Sequence, residues 1–211
     1  MKQERIIVGL LEVNCYLIFS DKSKILYIID PGNDANIIAE ATKKYPFEKA
    51  IVLLTHAHFD HISGLGELNE LLNIEEFFLC EDDEQLYSSP NNQMLPYFPR
   101  ATNLPKTCNQ FSKLSKLNNN VDKIEIIRTP GHTRGGCCYY FVDVNTLFSG
   151  DTLFANSTGR TDLPGGDFAQ LVNSIKSKLF KLPDNIVVKP GHGPSSSIGN
   201  EKKYNQSLAG F

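Results

Sequence analysis

The sequence predicts an α/β domain, and three observations carry the prediction. Short apolar runs rich in β-branched residues recur along the chain and read as strands. Between them lie stretches with apolar residues at helical spacing, bounded by capping residues and proline. Four of the strands end on a histidine or aspartate: His56, His132, Asp151 and His192.

Ile6 to Val8, Cys15 to Phe19 and Ile25 to Ile29 are separated by polar turn residues, so the chain should begin as an antiparallel meander. Asp30-Pro31-Gly32 marks a sharp turn. Asp34 is expected to cap a helix with Ile37, Ile38, Ala41 and Tyr45 on one face, stopped by Pro46. Ala50 to Leu54 reads as a buried central strand. It runs into Thr55-His56-Ala57-His58-Phe59-Asp60-His61. His56, His58 and Asp60 recur with period two, which places them on one side of an extended backbone. Residues two apart on a helix do not face each other. The backbone should therefore stay extended to about Asp60, and His61 should begin the turn into a helix reaching Leu72.

Glu76 to Cys80 is a further strand, and Asp82 to Tyr87 a short helix with an acidic first turn. From Ser88 to Asn120 periodicity is lost among four prolines, and loops this long are often functional. The apolar part, Met94 to Pro99, is expected to pack on the core, with a cover over an active site as the alternative. Lys123 to Arg128 is a strand leading to Pro130-Gly131-His132. Cys137 to Val142 and Thr146 to Ser149 pair around Asp143-Val144-Asn145, ending at Gly150-Asp151. Gly159 to Gly166 is a loop by its glycines and proline. Asp167 should cap a helix to about Leu182, burying Phe168, Leu171, Ile175 and Leu179. Ile186 to Lys189 is the last strand, followed by Pro190-Gly191-His192 and a short helix over Glu201 to Ser207. With no linker or low-complexity segment, residues 1–211 read as a single domain.

The net charge of −3 gives no electrostatic case for nucleic acid or an anionic membrane. Met1 to Glu12 fits neither a signal peptide nor a membrane span, and a cytoplasmic location is expected. The 5 Cys are odd in number and lack C-x-x-C spacing, so they read as free thiols. Cys137 and Cys138, adjacent on a strand, should point to opposite faces as small buried hydrophobes. The two sequons at Asn156 and Asn205 read as chance without a secretion signal.

All 5 His lie at strand ends: His56, His58, His61, His132 and His192. With Asp60 and Asp151 they exceed what one tetrahedral ion can use. Two ions with one shared carboxylate consume the set. Imidazole and carboxylate without thiolate suit zinc, iron or manganese and argue against a closed structural zinc site. Solvated or capping histidines are the bland alternative, and the His-x-His-x-Asp-His spacing weighs strongly against it.

In this order, Thr55 to His61, Pro130-Gly131-His132, Gly150-Asp151 and Gly191-His192 resemble the metallo-β-lactamase superfamily. Gly159-Arg160-Thr161-Asp162-Leu163-Pro164-Gly165-Gly166 narrows the likeness to the short glyoxalase II-like (hydroxyacylglutathione hydrolase-like) members. The resemblance implies a four-layer αββα sandwich, two mixed β-sheets flanked by helices, with the metals at one edge. It implies a first ion at His56, His58 and His132, a second at Asp60, His61 and His192, and Asp151 as the bridge. Arg160 falls where those enzymes place a basic glutathione-binding residue; a salt bridge to Asp162 is its structural alternative. Two departures stand out. The chain ends at Phe211, before the C-terminal helical domain of glyoxalase II, and Gly193-Pro194 follows His192 where the full-length enzymes carry Glu-Tyr.

The implied chemistry is hydrolysis of a small-molecule thioester, first of all an S-2-hydroxyacyl glutathione. A water between two divalent ions, zinc first, loses its proton near neutral pH and attacks the acyl carbon. Asp60 would orient that nucleophile while ligating. The alternatives are a mononuclear-iron persulfide dioxygenase, which shares the scaffold, and a non-catalytic metal-holding module.

Overall fold

Why the chain folds into layers is visible in how its strands alternate. In β2 (Val13–Phe19) Cys15, Leu17 and Phe19 enter one apolar cluster, while Tyr16 and Ile18 enter another. The same split recurs in β4 (Lys49–Leu53), where Val52 faces one way and Ile51 and Leu53 the other. A strand buried on both faces needs cover on both. The computed structural model, which describes residues 1–72, 74, 76–89, 103–105 and 121–210, shows that cover as three apolar layers between four layers of structure.

The first sheet has order β1-β2-β3-β4-β5, with β1 (Lys2–Val8), β3 (Ile25–Ile29) and β5 (Glu76–Phe78) completing it. The first three strands form the expected antiparallel meander, and β3, β4 and β5 run parallel. The second sheet has order β12-β11-β8-β7-β6. Its members are β6 (Ile124–Arg128), β7 (Cys137–Phe141), β8 (Thr146–Gly150), β11 (Val187–Pro190) and β12 (Ser196–Ser197). A small hairpin, β9 (Leu153–Phe154) with β10 (Ser157–Thr158), stands apart. Both large sheets are mixed, since β8 and β11 pair in parallel within an otherwise antiparallel set.

Between the sheets lie Tyr27, Tyr139, Phe141 and Phe148, all fully buried, with edge-to-face ring contacts such as Tyr27–Phe141 at 5.4 Å between centroids. Outside the first sheet, α1 (Ala35–Thr42) and α3 (Leu65–Leu72) contribute Ile38, Leu65 and Leu68. Outside the second, α5 (Phe168–Ser177) and α6 (Ile198–Tyr204) contribute Leu171, Ile175 and Ile198. Two further short helices, α2 (Phe59–Ile62) and α4 (Glu84–Ser88), lie close to the strand ends. Cys137 and Cys138 point into different layers, and the four cysteines among the described residues are free and buried. No helix among those residues is long and apolar enough to cross a membrane.

Several boundaries differ from the sequence expectation. Asp34 does not cap α1 with its side chain; its carboxylate accepts from Gly9 N at 2.8 Å, and its own φ is +52°. Ile37 is exposed, while Ile38 is buried and Ala41 and Tyr45 pack part-buried against the same cluster. The helix turn begins at Phe59, before Asp60, so the extended segment is shorter than expected. Asp167 does cap its helix, accepting from Gln170 N at 2.9 Å, but the helix ends at Ser177 and a 3-10 turn at Leu179–Lys181 follows. Phe168 lies on the exposed side of that helix. The Met94–Pro99 segment falls outside the described residues.

Candidate metal centre

Strand register brings the site together. Ile29 pairs with Leu53 across the parallel β3–β4 ladder, so Asp30 emerges alongside Thr55 and His56. In the second sheet Pro190 pairs with Gly150, which sets Asp151 beside Gly191 and His192. The two sheets are tied at this edge by main-chain bonds, Cys137 N to Thr55 O at 2.9 Å and Asn14 N to Gly191 O at 2.7 Å. The buried Asn14 amide adds bonds to the carbonyls of Pro190 and Gly193, each 2.9 Å.

All seven predicted ligands meet here. His56, His58 and His132 form one buried group and Asp60, His61 and His192 a second; within each, one potential ligand atom per residue lies within 4.8 Å of the others. Asp151 faces both: its Oδ2 is 3.6 Å from His132 Nε2 and 3.7 Å from His192 Nε2, and its Oδ1 is 3.4 Å from His61 Nε2. Asp60 Oδ2 sits 3.3 Å from His192 Nε2 and 3.6 Å from His61 Nε2.

The outward-facing nitrogens fix the tautomers. His132 Nδ1 donates to the carbonyl of Arg160 at 2.6 Å, and His192 Nδ1 to that of Leu11 at 2.9 Å. His61 Nδ1 donates to Asp30 Oδ2 at 3.0 Å. Thr55 Oγ1 donates to the same Asp30 oxygen at 2.7 Å, leaving Oγ1 to accept from His56 Nδ1 at 3.0 Å. Four imidazoles thus turn Nε2 inward, the orientation in which a bound cation can take the place of any proton that nitrogen carries. His58 instead presents Nδ1, 2.9 Å from His132 Nε2.

These donors fit a divalent cation. His56 Nε2, His61 Nε2 and Asp151 Oδ1 are buried and make no hydrogen bond among the described residues. Each such group would carry a desolvation penalty of roughly 1–3 kcal/mol, and cations held between them would satisfy all three. The electrostatics agree. Burial and the neighbouring imidazoles push His56 far down, and burial with His132 pushes His58 down to about 4, so both stay neutral donors. Burial works against the charge on Asp60, but His61 and His192 outweigh it and hold the carboxylate well below its usual range. Burial likewise opposes a charge on His61, yet Asp151, Asp60 and Asp30 raise it to about 10. This cluster of carboxylates calls for positive charge, which bound metal supplies in place of that proton.

Two residues that the sequence reading treated as turn or helix-start material have structural roles here. Asp30, buried with φ +49°, also accepts from Thr55 N at 2.8 Å. Asp30, His56 and His61 also approach one another closely, but the Asp30 oxygens are already occupied by Thr55 and His61, so this carboxylate orients ligands. Asp83 is buried too, accepting from Ala57 N at 3.1 Å, Thr133 Oγ1 at 2.8 Å and Gly135 N at 2.6 Å. It ties the His56–His58 segment to the turn beyond His132. A polar residue just past a strand end was the available signal; which strand lies beside it was not.

Arg160 lies at the mouth. Its guanidinium makes two 2.7 Å bonds to the Asp162 carboxylate, and both side chains are exposed. The site opens into a cavity of about 580 Å³ lined by Leu11, Phe59, Phe154 and Leu163, together with Arg160 and the ligand residues.

Comparison with known proteins shows the family. The family model described as the metallo-beta-lactamase superfamily matches residues 8–192. A Haemophilus influenzae protein named hydroxyacylglutathione hydrolase GloC is 34% identical over 216 residues, covering 99% of this chain and 98% of that one. Among solved structures, BLEG-1 B3 metallo-beta-lactamase is 32% identical with a TM-score of 0.85, covering 99% of this chain and 100% of its own. TTHA1623 in a di-iron-bound form is 30% identical, also with a TM-score of 0.85, over 96% of this chain and 98% of its own. Family match, whole-length likeness and clustered histidines and aspartates converge: the chain belongs to the metallo-β-lactamase superfamily of metal-dependent hydrolases.

Proposed function

We propose that this chain hydrolyses a small-molecule thioester, with an S-2-hydroxyacyl glutathione as the first candidate. The observation that carries the reading is Asp151, whose two oxygens face both ligand groups at the floor of a cavity with a cationic side chain at its rim. The name of the Haemophilus influenzae relative supports the substrate class.

His56, His58 and His132 would hold one ion, Asp60, His61 and His192 a second, and Asp151 would span them. Divalent cations, zinc being the first expectation and iron or manganese the alternatives, would lower the pKa of bound water and polarise the acyl carbonyl. The chain's own groups do the rest. Asp60, kept ionised by His61 and His192, accepts a hydrogen bond from the attacking water and sets its direction. Arg160 binds a carboxylate of the thiol carrier. The thiolate leaves without a proton donor, and all 5 histidines would be engaged as ligands.

Metal analysis beside a thioester panel tests this. About two ions per chain and thioester cleavage are expected, and Asp60→Ala and His132→Ala should abolish turnover in folded protein. Wild-type rates in a metal-depleted mutant reject the assignment. One iron per chain with oxygen uptake on a glutathione persulfide would move the reading to a dioxygenase. Tightly held metal with no turnover would move it to a non-catalytic module.

A further inference from the structure

The cavity over the metal centre has two chemically different sides. On the His192 side stand Leu11, Phe59 and Phe154. Leu11 is joined to His192 through its carbonyl, and the Phe154 ring meets the His192 ring edge-on at 6.2 Å between centroids. Leu11 and Phe59 also line a second small hollow beneath the β1–β2 turn. On the His132 side stands Arg160, joined to His132 through its own carbonyl, with Leu163 nearby in sequence. Among the described lining residues, Arg160 carries the cation and the ligand residues carry the other polar groups.

From this polarity we infer that substrate binds in one direction. The acyl group lies toward His192 against Leu11, Phe59 and Phe154, and the anionic thiol carrier lies toward His132 and Arg160. The inference rests on the thioesterase reading and adds the acyl class: chains with an apolar extension beyond the carbon next to the carbonyl, aryl or long alkyl, in preference to the smallest acyl groups. The physical reason is unequal solvation. Leu11, in the cavity wall, keeps 39% of its surface exposed. An apolar acyl tail would remove part of that surface from water, and the gain should grow with each methylene until the wall is covered. A charged or strongly polar tail laid against Leu11, Phe59 and Phe154 would lose water, and these three side chains offer it no polar partner.

The experiment uses the metal-loaded full chain and an S-acyl glutathione series from lactoyl through 2-hydroxyhexanoyl to mandeloyl. The same acyl groups are also tested on uncharged N-acetylcysteamine. In the wild type kcat/KM should rise on the order of threefold per added methylene. Leu11→Ala and Phe154→Leu should flatten that slope and leave the glutathione-to-cysteamine ratio in place. Arg160→Gln should do the reverse, collapsing the carrier ratio and keeping the slope. The carbonyls that hold His192 and His132 belong to the main chain, so these substitutions leave both bonds available. Circular dichroism of each variant identifies any that fails to fold, and the wild-type series stands by itself. A flat or falling wild-type slope overturns the inference while the thioesterase reading stands. So does a variant on one side that changes both readouts. Absence of turnover on every thioester with two ions bound overturns the thioesterase reading itself.

Discussion

Asp30 shows how much of this centre depends on a side chain that touches no substrate. Its carboxylate accepts from Thr55 N, Thr55 Oγ1 and His61 Nδ1. Through Thr55 it also sets the ring of His56. Removing a partner of this kind typically costs 10–100-fold in metal affinity. Asp30→Ala should therefore weaken metal binding by about that factor, and Asp30→Asn, which keeps an acceptor oxygen, by less. Competition titration with a chromogenic chelator measures both, and equal affinities in all three proteins would remove Asp30 from this role. A second expectation concerns the rim. Bonds from Arg160 hold the Asp162 carboxyl down to about 2, so the pair is formed throughout the neutral range. A substrate carboxylate must compete with Asp162 for the same fork. Asp162→Asn should lower KM for a glutathione thioester by up to about fivefold, since exposed pairs are weak, with kcat little changed.

At the scale of elements, the centre is built from strand ends, and the glycines there mark where backbone and ligands come closest. A Cβ on Gly191 would lie 2.3 Å from Asp151 Oδ1 and 2.7 Å from His61 Cε1. Gly191→Ala must therefore displace two of the residues proposed to hold metal, and a loss of roughly tenfold or more in metal affinity is expected. Unchanged metal content after dialysis would show that the strand end can yield. Helix α5 offers a purely structural counterpart: Asp167→Ala should cost about 1 kcal/mol, read from urea unfolding, because only the Gln170 N–H bond is lost. The convergence of the seven histidines and aspartates was legible in the sequence because His and Asp at strand ends have few other uses in so tight a spacing. Asp30 and Asp83 were not, because their partners are set by strand pairing and helix docking, which a local pattern does not encode. Asp34 stood in the right place for a cap, but its carboxylate bonds to Gly9 instead, a tertiary contact overriding a local preference.

Across the whole molecule, the apolar layers hold weak acids whose protons the unfolded chain would release. Burial raises Cys15 and Cys137 well above the usual thiol range and Cys138 to about 11. Burial likewise pushes Tyr16, Tyr27 and Tyr139 upward, and burial with Glu4 takes Tyr45 to about 12. Between the ordinary values near 9 to 10 and these raised ones, the folded protein binds more protons than the unfolded chain. Stability must then fall with rising pH, by on the order of 1.4 kcal/mol per pH unit for each proton so held. In metal-free protein His61 adds a contribution of the same sign. Held charged up to about 10, it stabilises fully below its ordinary value near 6.5, and that contribution is lost as pH rises through 10. Added metal takes the place of that proton and should remove the His61 part. The urea midpoint, measured in reductant from pH 7 to 10.5 with and without metal, should drop steeply above pH 9 in both cases and begin to drop earlier in the metal-free protein. A midpoint constant to pH 10.5 would mean that these phenols and thiols ionise inside the fold at their ordinary values, against the burial that raises them.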